Sequence, residues 1–190
     1  ALPISQKSYL IRVICMLGLN YNIVELKSHN SKWKTLFKQE KDKIMSLSIH
    51  EYIVEIEHIG STAVAGLIAK PIIDIMLGVK NYSDSKRCID ALKNIGYKNF
   101  GECGRPGRLF FIKSESLKST HHLHLVEYNS IYWENNIFFR DYLRNNKKIA
   151  DEYAVLKKDL AKKYRNDRDA YRFYKSSFVE NILKKKNSLL

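Results

Sequence analysis

The chain has 190 residues, of which 45% are hydrophobic and 28% are charged, a composition typical of one soluble globular domain that is long enough to bury a core. No run reaches the roughly 18 consecutive apolar residues of a membrane-spanning helix, so we expect a cytoplasmic protein without a membrane partner. The net charge of +13 favours anionic partners, among them nucleotides, phosphorylated metabolites and nucleic acid.

Hydrophobic spacing predicts helices and strands along the first two thirds of the chain and helices in the last third. In chain order, the predicted elements are a helix over 31–47, a strand over 52–59, a short helix from 60 to about 66, a strand over 71–79, a helix over 83–95, strands over 97–103, 109–113 and 121–127, and helices beyond residue 131. We therefore expect an α+β architecture, a small mixed sheet with helices packed on it.

The predicted strand over 52–59 ends at a Gly-Ser-Thr sequence. Alternation places Val54, Ile56 and His58 on one face of this strand and the residues between them, including Glu57, on the other. Gly60, Ser61 and Thr62 then form a strand-to-helix turn, and the backbone N–H groups and hydroxyls of such a turn can hold phosphate. An ordinary turn with no ligand has the same sequence pattern.

The predicted strand over 71–79 contains a single carboxylate, Asp74, within an apolar run. Alternation places Asp74 and Met76 on the face opposite to Ile73 and Ile75. Because an ionised carboxylate in apolar surroundings costs several kcal/mol, Asp74 requires a partner or a cation. The alternative to a cation site is a pair with Lys70, or hydrogen bonds from the backbone.

Two histidines, His122 and His124, share one face of the predicted strand over 121–127, about 7 Å apart. Imidazoles in this arrangement can bind a metal ion, transfer protons or donate hydrogen bonds to phosphate. The alternative is a pair of polar residues on a solvated face.

Arginine flanks the Pro-Gly turn of residues 104–107 and continues on a helix of the last third. Arg105 and Arg108 can cap an anion pocket, because the guanidinium group matches phosphate oxygens, or they can be solvated. On the helix, Arg140 and Arg144 share a face, and Asp141 is spaced to pair with Arg144.

Much of the excess positive charge lies in residues 140–186, in four groups of neighbouring lysines. These groups are Lys147-Lys148, Lys157-Lys158, Lys162-Lys163 and Lys184-Lys185-Lys186. We expect them to form solvated helix faces rather than a nucleic-acid surface. Nucleic acid is thus the less favoured partner.

Five segments taken together resemble the GrpB family, over residues 23–185 and in the order of that family. They are H-I-G-S-T-A-V-A-G-L-I-A-K-P-I-I-D-I, G-R-P-G-R-L-F-F, H-H-L-H-L, F-F-R-D-Y-L-R and E-Y-A-V-L-K-K-D-L-A. The resemblance implies a nucleotidyltransferase-like fold. It also implies one domain over 23–190, preceded by an N-terminal extension over 1–22.

Enzymes of the nucleotidyltransferase-like superfamily carry Gly-Ser after one strand and two carboxylates, in an Asp-x-Asp or Asp-x-Glu pattern, on the next. A third carboxylate on a later strand completes a site for two Mg²⁺ ions. The resemblance implies that Asp74 is the first carboxylate, beside phosphates on Gly60 and Ser61. This chain departs from the pattern, because Met76 stands at the second position and His122 and His124 occupy the third strand. Glu57 is an alternative second carboxylate.

We expect the protein to bind a nucleotide or a phosphorylated small molecule. In this hypothesis Gly60, Ser61, Thr62, Lys70, Arg105 and Arg108 hold phosphate. Asp74, His122 and His124 hold a divalent metal, Mg²⁺ or Mn²⁺ with Zn²⁺ as an alternative, or act as acids and bases in nucleotidyl transfer. The alternatives are a non-catalytic nucleotide- or coenzyme-binding module and a metal-dependent phosphoesterase.

Overall fold

The computed structural model describes residues 17–187, which form a six-stranded mixed sheet and five α-helices. The elements are β1 (Leu19–Asn20), α1 (Lys32–Met45), β2 (Ile53–Ile59), β3 (Ile73–Val79), α2 (Ser85–Asn94), β4 (Tyr97–Asn99), β5 (Arg108–Glu115), β6 (Lys118–Glu127), α3 (Ile131–Asn145), α4 (Lys147–Lys163) and α5 (Arg168–Asn187). The predicted α+β class is confirmed.

The strands of the sheet follow the order β2-β3-β6-β5-β4, and β1 pairs with the start of β6. Strands β3 and β6 are parallel, whereas the other pairs are antiparallel. The parallel register sets Asp74 opposite His122, and Met76 opposite His124. Residues paired across a sheet point to the same face, so these four side chains share one face.

One face of the sheet packs against α1 and α2 and forms the main hydrophobic core. The alternation predicted for β3 is confirmed, because Ile73, Ile75, Leu77 and Val79 all lie in this core. Met76 lies on the opposite face, where it packs with Ile59, Val126 and Trp133 of α3. The three C-terminal helices cover this second face, and they enclose the space above Asp74.

The predicted faces of β2 are wrong at its first residues. The pairing of β2 with β3 shifts register between Ile53 and Glu55, which is a β-bulge. Ile53 therefore enters the same core as Ile56, whereas Val54 is 43% exposed. His58 keeps its predicted place on the face of Ile56 and stacks on Phe37 of α1, with ring centroids 4.7 Å apart.

Two predicted elements are shorter than their sequence patterns indicated. The helix expected from residue 60 to about 66 is a single 3-10 turn over Ser61–Ala63, and the chain is extended again at Val64. The strand expected over 97–103 ends at Asn99, because Gly101, Cys103 and Gly104 adopt positive φ angles that a strand does not allow.

The last residues of the predicted N-terminal extension pack on the domain. Leu17 and Leu19 are buried, and the backbone N–H of Gly18 donates to the carbonyl of Pro71 at 2.8 Å. Residues 1–16 of the predicted extension lie outside the described residues. Within residues 17–187, no helix has the length and apolar composition needed to cross a membrane.

Candidate anion-binding site

A cavity of about 540 Å³ lies between the second face of the sheet and helices α3–α5. This volume is within the range of small-molecule sites. The structure brings all nine predicted site residues to its lining: Gly60, Ser61, Thr62, Lys70, Asp74, Arg105, Arg108, His122 and His124. We call it the sheet cavity.

Asp74 pairs with His122 rather than with Lys70. The Nδ1 atom of His122 donates to Oδ1 of Asp74 at 3.2 Å, and an Arg168 guanidinium nitrogen lies 3.4 Å from Nε2 of the same ring. Burial, the largest single influence, works to raise the pKa of Asp74, but the hydrogen bond from His122 and the nearby basic groups, including Lys70, together lower the pKa to about 2. Asp74 is therefore ionised at neutral pH, and burial holds His122 neutral by lowering its pKa.

His124 faces a second guanidinium group. Its Nδ1 atom lies 3.4 Å from Arg108, and the ring of Phe110 lies beside both His124 and His122. Burial lowers the pKa of His124 to about 3, so this imidazole is also neutral. Arg108 is itself buried, and its Nε has no hydrogen-bond partner among the described residues.

The arrangement of these side chains does not fit the predicted divalent metal. In residues 17–187, no group of three or more His, Cys, Asp or Glu side chains is placed to hold a metal ion. Each imidazole directs a nitrogen to a guanidinium group, and a cation there would be repelled by Arg108 and Arg168. Met76 at the second carboxylate position is buried among apolar side chains.

Gly60 is required at the end of β2 by the proximity of Asp74. It adopts a φ of 69°, and a Cβ atom at this position would collide with Oδ2 of Asp74. The turn that follows presents Ser61 to the cavity. Thr62 lines the cavity but has a structural role, because its hydroxyl donates to the Ile72 carbonyl and accepts from His58 Nε2.

Lys157 of α4 is a site residue that the sequence interpretation missed. Instead of lying on a solvated face it is 2% exposed, and its amine contacts Ser61 Oγ at 2.9 Å and the carbonyl of Ile68. The sequence does contain a signal, since Lys157 falls within the apolar stripe that Tyr153 and Leu160 define at helical spacing. A lysine inside such a stripe either buries its aliphatic stem and extends its amine to water, or buries its amine against a hydrogen-bond partner.

Three further cations reach the sheet cavity from α5: Arg168, Arg172 and Lys175. The sequence predicted helices beyond residue 131 but did not show which polar residues of α5 border the cavity. Burial, together with repulsion from Lys175 and Arg168, lowers the pKa of Lys70 to about 7. The Lys70 amine lies 5.4 Å from the ring centre of Tyr171.

Glu57 is not a second carboxylate of the sheet cavity. It forms an ion pair with Arg140, which also donates to the carbonyl of His58 at 3.0 Å. Arg144 donates to the carbonyl of Ala63 and, as its spacing predicted, pairs with Asp141 at 3.1 Å. Both arginines therefore fix the segment that connects β2 to the cavity rather than line the cavity itself.

Comparison with known proteins identifies the family. The family model described as GrpB protein matches residues 23–185. The chain belongs to the GrpB family. Glutamate-rich protein GrpB of Alkalihalophilus pseudofirmus is 42% identical over 172 residues, which cover 88% of this chain and 98% of that protein.

Solved structures confirm the fold of this GrpB-family chain. Conserved protein GrpB from Enterococcus faecalis superposes with a TM-score of 0.77 at 32% identity, covering 85% of this chain and 99% of that one. Cid1 poly(U) polymerase with bound Mg 3'-dATP superposes with a TM-score of 0.50 at 11% identity, covering 90% of this chain and 53% of that one. At this low identity the second likeness shows the nucleotidyltransferase-like fold alone.

Proposed function

We propose that the protein binds a nucleotide or a similar phosphorylated small molecule in the sheet cavity, through its phosphate groups. The observation that carries this proposal is the charge of the lining. Seven basic side chains border the cavity, namely Lys70, Arg105, Arg108, Lys157, Arg168, Arg172 and Lys175, whereas the acidic side chains are Asp74 and Glu180. All but Lys157, whose pKa is lowered to about 6, contribute positive charge at neutral pH. Such an excess of cations around one concave space attracts polyanions.

One of these basic side chains can respond to a ligand. Burial and neighbouring cations lower the pKa of Lys70 to about 7. A phosphate group beside Lys70 favours its ammonium form and raises its pKa, since opposite charges stabilise each other. Phosphate binding should therefore be accompanied by proton uptake near neutral pH.

Aromatic side chains at the cavity offer a surface on which a nucleobase can stack. Phe100 and Phe110 lie together on the β5 side, with ring centroids 6.4 Å apart, and Phe100 is 41% exposed. Aromatic faces stack on any base without reading its hydrogen-bonding edge. The proposal therefore includes a base at the Phe100 side and phosphates among the cations of α5.

Nucleotidyl transfer through two metal ions is the less supported alternative. The nucleotidyltransferase-like fold and the position of Asp74 beside Gly60 favour it. However, the second carboxylate is replaced by Met76, and guanidinium groups occupy the space beside both histidines. These contacts favour ligand binding without a metal over both nucleotidyl transfer and metal-dependent phosphoester hydrolysis.

A thermal-shift screen tests the proposal. The probes are nucleoside triphosphates and coenzyme A precursors, each measured in EDTA and again with Mg²⁺, Mn²⁺ or Zn²⁺. We expect stabilisation in EDTA, about 2.7 kcal/mol at 100 times the dissociation constant. Arg168→Gln should abolish the shift, whereas Arg87→Gln, which removes an exposed charge outside the cavity, should leave it unchanged. Absence of any shift would contradict the proposal, and a shift that requires a metal would favour the transfer alternative.

A further inference from the structure

Ser61 and Lys157 form a serine–lysine pair at the wall of the sheet cavity. Ser61 directly follows Gly60, whose left-handed φ of 69° ends β2 in a sharp turn. Lys157 lies 96 residues later on α4, and its Nζ is 2.9 Å from Ser61 Oγ. The Lys157 amine also contacts the Ile68 carbonyl, which holds the turn in place. That contact does not account for the second one, between the buried amine and a Ser61 hydroxyl that faces the cavity.

The surroundings of Lys157 favour a neutral amine. The amine is buried, and the charged groups that act on it are the cations Lys175 and Lys70. Burial and these two cations lower the pKa of Lys157 to about 6. At neutral pH most molecules therefore carry an uncharged amine, which can accept a proton.

The hydrogen bonds around the pair are consistent with an acceptor role. A neutral amine has two N–H groups and one lone pair, and one N–H can donate to the carbonyl of Ile68. The lone pair is then available to accept the Ser61 hydroxyl proton. The Tyr153 hydroxyl also interacts with Ser61.

We propose that Ser61 is a nucleophile, that Lys157 is its general base, and that the pair attacks phosphorus in a phosphate ester or anhydride held in the sheet cavity. This inference rests on the proposed function for its natural substrate. Serine–lysine pairs perform the same proton transfer in other hydrolytic folds. A metal ion is not needed to generate this nucleophile.

The step balances without a co-reactant. The Ser61 O–H proton moves to the Lys157 amine while Oγ forms a bond to phosphorus. The bond between phosphorus and the leaving oxygen breaks, and its electron pair stays with that oxygen. The leaving oxygen takes the proton from the Lys157 ammonium group, so that a phosphorylated Ser61 and a neutral lysine remain.

Covalent labelling with diisopropyl fluorophosphate tests the nucleophile independently of the natural ligand. Ser61 Oγ would displace fluoride, and intact-mass and peptide analysis should find one diisopropylphosphoryl group, on Ser61. Ser61→Ala should remove the label. Ser176→Ala is the matched control, because Ser176 also lines the cavity but donates its hydroxyl to the Phe173 carbonyl at 2.8 Å.

Two lysine variants separate base catalysis from positioning. Lys157→Met and Lys157→Arg should each slow labelling about 100-fold, the size of a general-base contribution. Arginine keeps hydrogen-bond donors but stays protonated, so retained labelling in Lys157→Arg would overturn the base role. In the native protein the labelling rate should rise tenfold per pH unit below about pH 6 and level off above it.

Pyrophosphate protection distinguishes this inference from the proposed function. If both hold, bound pyrophosphate slows the labelling of Ser61. If Ser61 is labelled at the same rate with and without pyrophosphate, its role as a nucleophile is supported but phosphate binding beside it is contradicted. Pyrophosphate binding with no label at any pH, or a label on other residues only, would overturn the inference and leave the proposed function standing.

Discussion

At the scale of single residues, the chemistry of the site depends on how closely Gly60 and Asp74 approach. The backbone of Gly60 passes beside the carboxylate because it has no Cβ, and the His122 hydrogen bond keeps that carboxylate ionised. The hydrogen bond from His122 on the adjacent strand thus offsets the cost of placing the charged Asp74 in an apolar strand.

Gly60→Ala should lower the free energy of unfolding more than Gly66→Ala does. Both positions have positive φ, 69° and 78°, so both substitutions strain the backbone by about 1 kcal/mol. At Gly60 the new Cβ also collides with Asp74, whereas nothing lies within 4 Å at Gly66. We expect Gly60→Ala to cost about 2–3 kcal/mol in urea denaturation. Equal costs would contradict the packing of Gly60 against Asp74.

Asp74→Asn should strengthen phosphate binding. The substitution removes a negative charge from an anion-binding cavity, while the amide oxygen can still accept from His122. At an effective dielectric constant near 20, the gain should be about threefold to tenfold in affinity for pyrophosphate. If Asp74 instead held a metal that binds the phosphate, the same variant would bind less tightly. Calorimetric titration distinguishes the two.

At the scale of elements, the helices fix the loop that carries Ser61. Arg140 on α3 is 7% exposed and joins Glu57, the His58 carbonyl and Asp141. Arg144 holds the Ala63 carbonyl one helical turn later. The strand end and its turn are therefore tied to the helix that closes the cavity.

Arg140→Met should lower the free energy of unfolding by about 2–4 kcal/mol, because it leaves a buried carbonyl and the partly buried Glu57 without a partner. Arg87→Met is the control, since Arg87 is exposed and donates to the Tyr52 hydroxyl on the surface. We expect that control to change stability by less than about 0.5 kcal/mol. A small effect of Arg140→Met in chemical denaturation would show that α3 does not hold the turn.

The sequence predicted strand faces better than it predicted contacts between distant elements. Alternation placed Asp74 and Met76 on one face of β3, and His122 and His124 on one face of β6. The hypothesis of one site containing Asp74, His122 and His124 rested on the family resemblance, because no local pattern shows that β3 and β6 are parallel neighbours. The direct hydrogen bond between Asp74 and His122 was not predicted. The β2 bulge and the burial of Lys157 likewise depend on packing between separated segments.

At the scale of the whole molecule, buried neutral histidines should make the fold sensitive to acid. Burial lowers the pKa to about 4 for His58 and His121 and to about 3 for His124. The unfolded chain takes up these protons below about pH 6.5 and the folded chain does not, so the unfolded state binds more protons and stability falls as pH falls.

We expect a loss of about 2–4 kcal/mol between pH 7.5 and pH 5.5. Urea denaturation across this range measures it. A free energy of unfolding that stays constant from pH 7.5 to 5.5 would contradict neutral burial of the three histidines.

The cations of the sheet cavity are proposed to bind phosphate. The most direct test is calorimetric titration of the native protein with pyrophosphate in EDTA at pH 7.5, in two buffers of different ionisation enthalpy. Binding with net proton uptake is the predicted result, because Lys70 must be protonated to bind phosphate. No binding, or binding that appears only with a divalent metal, would contradict the claim.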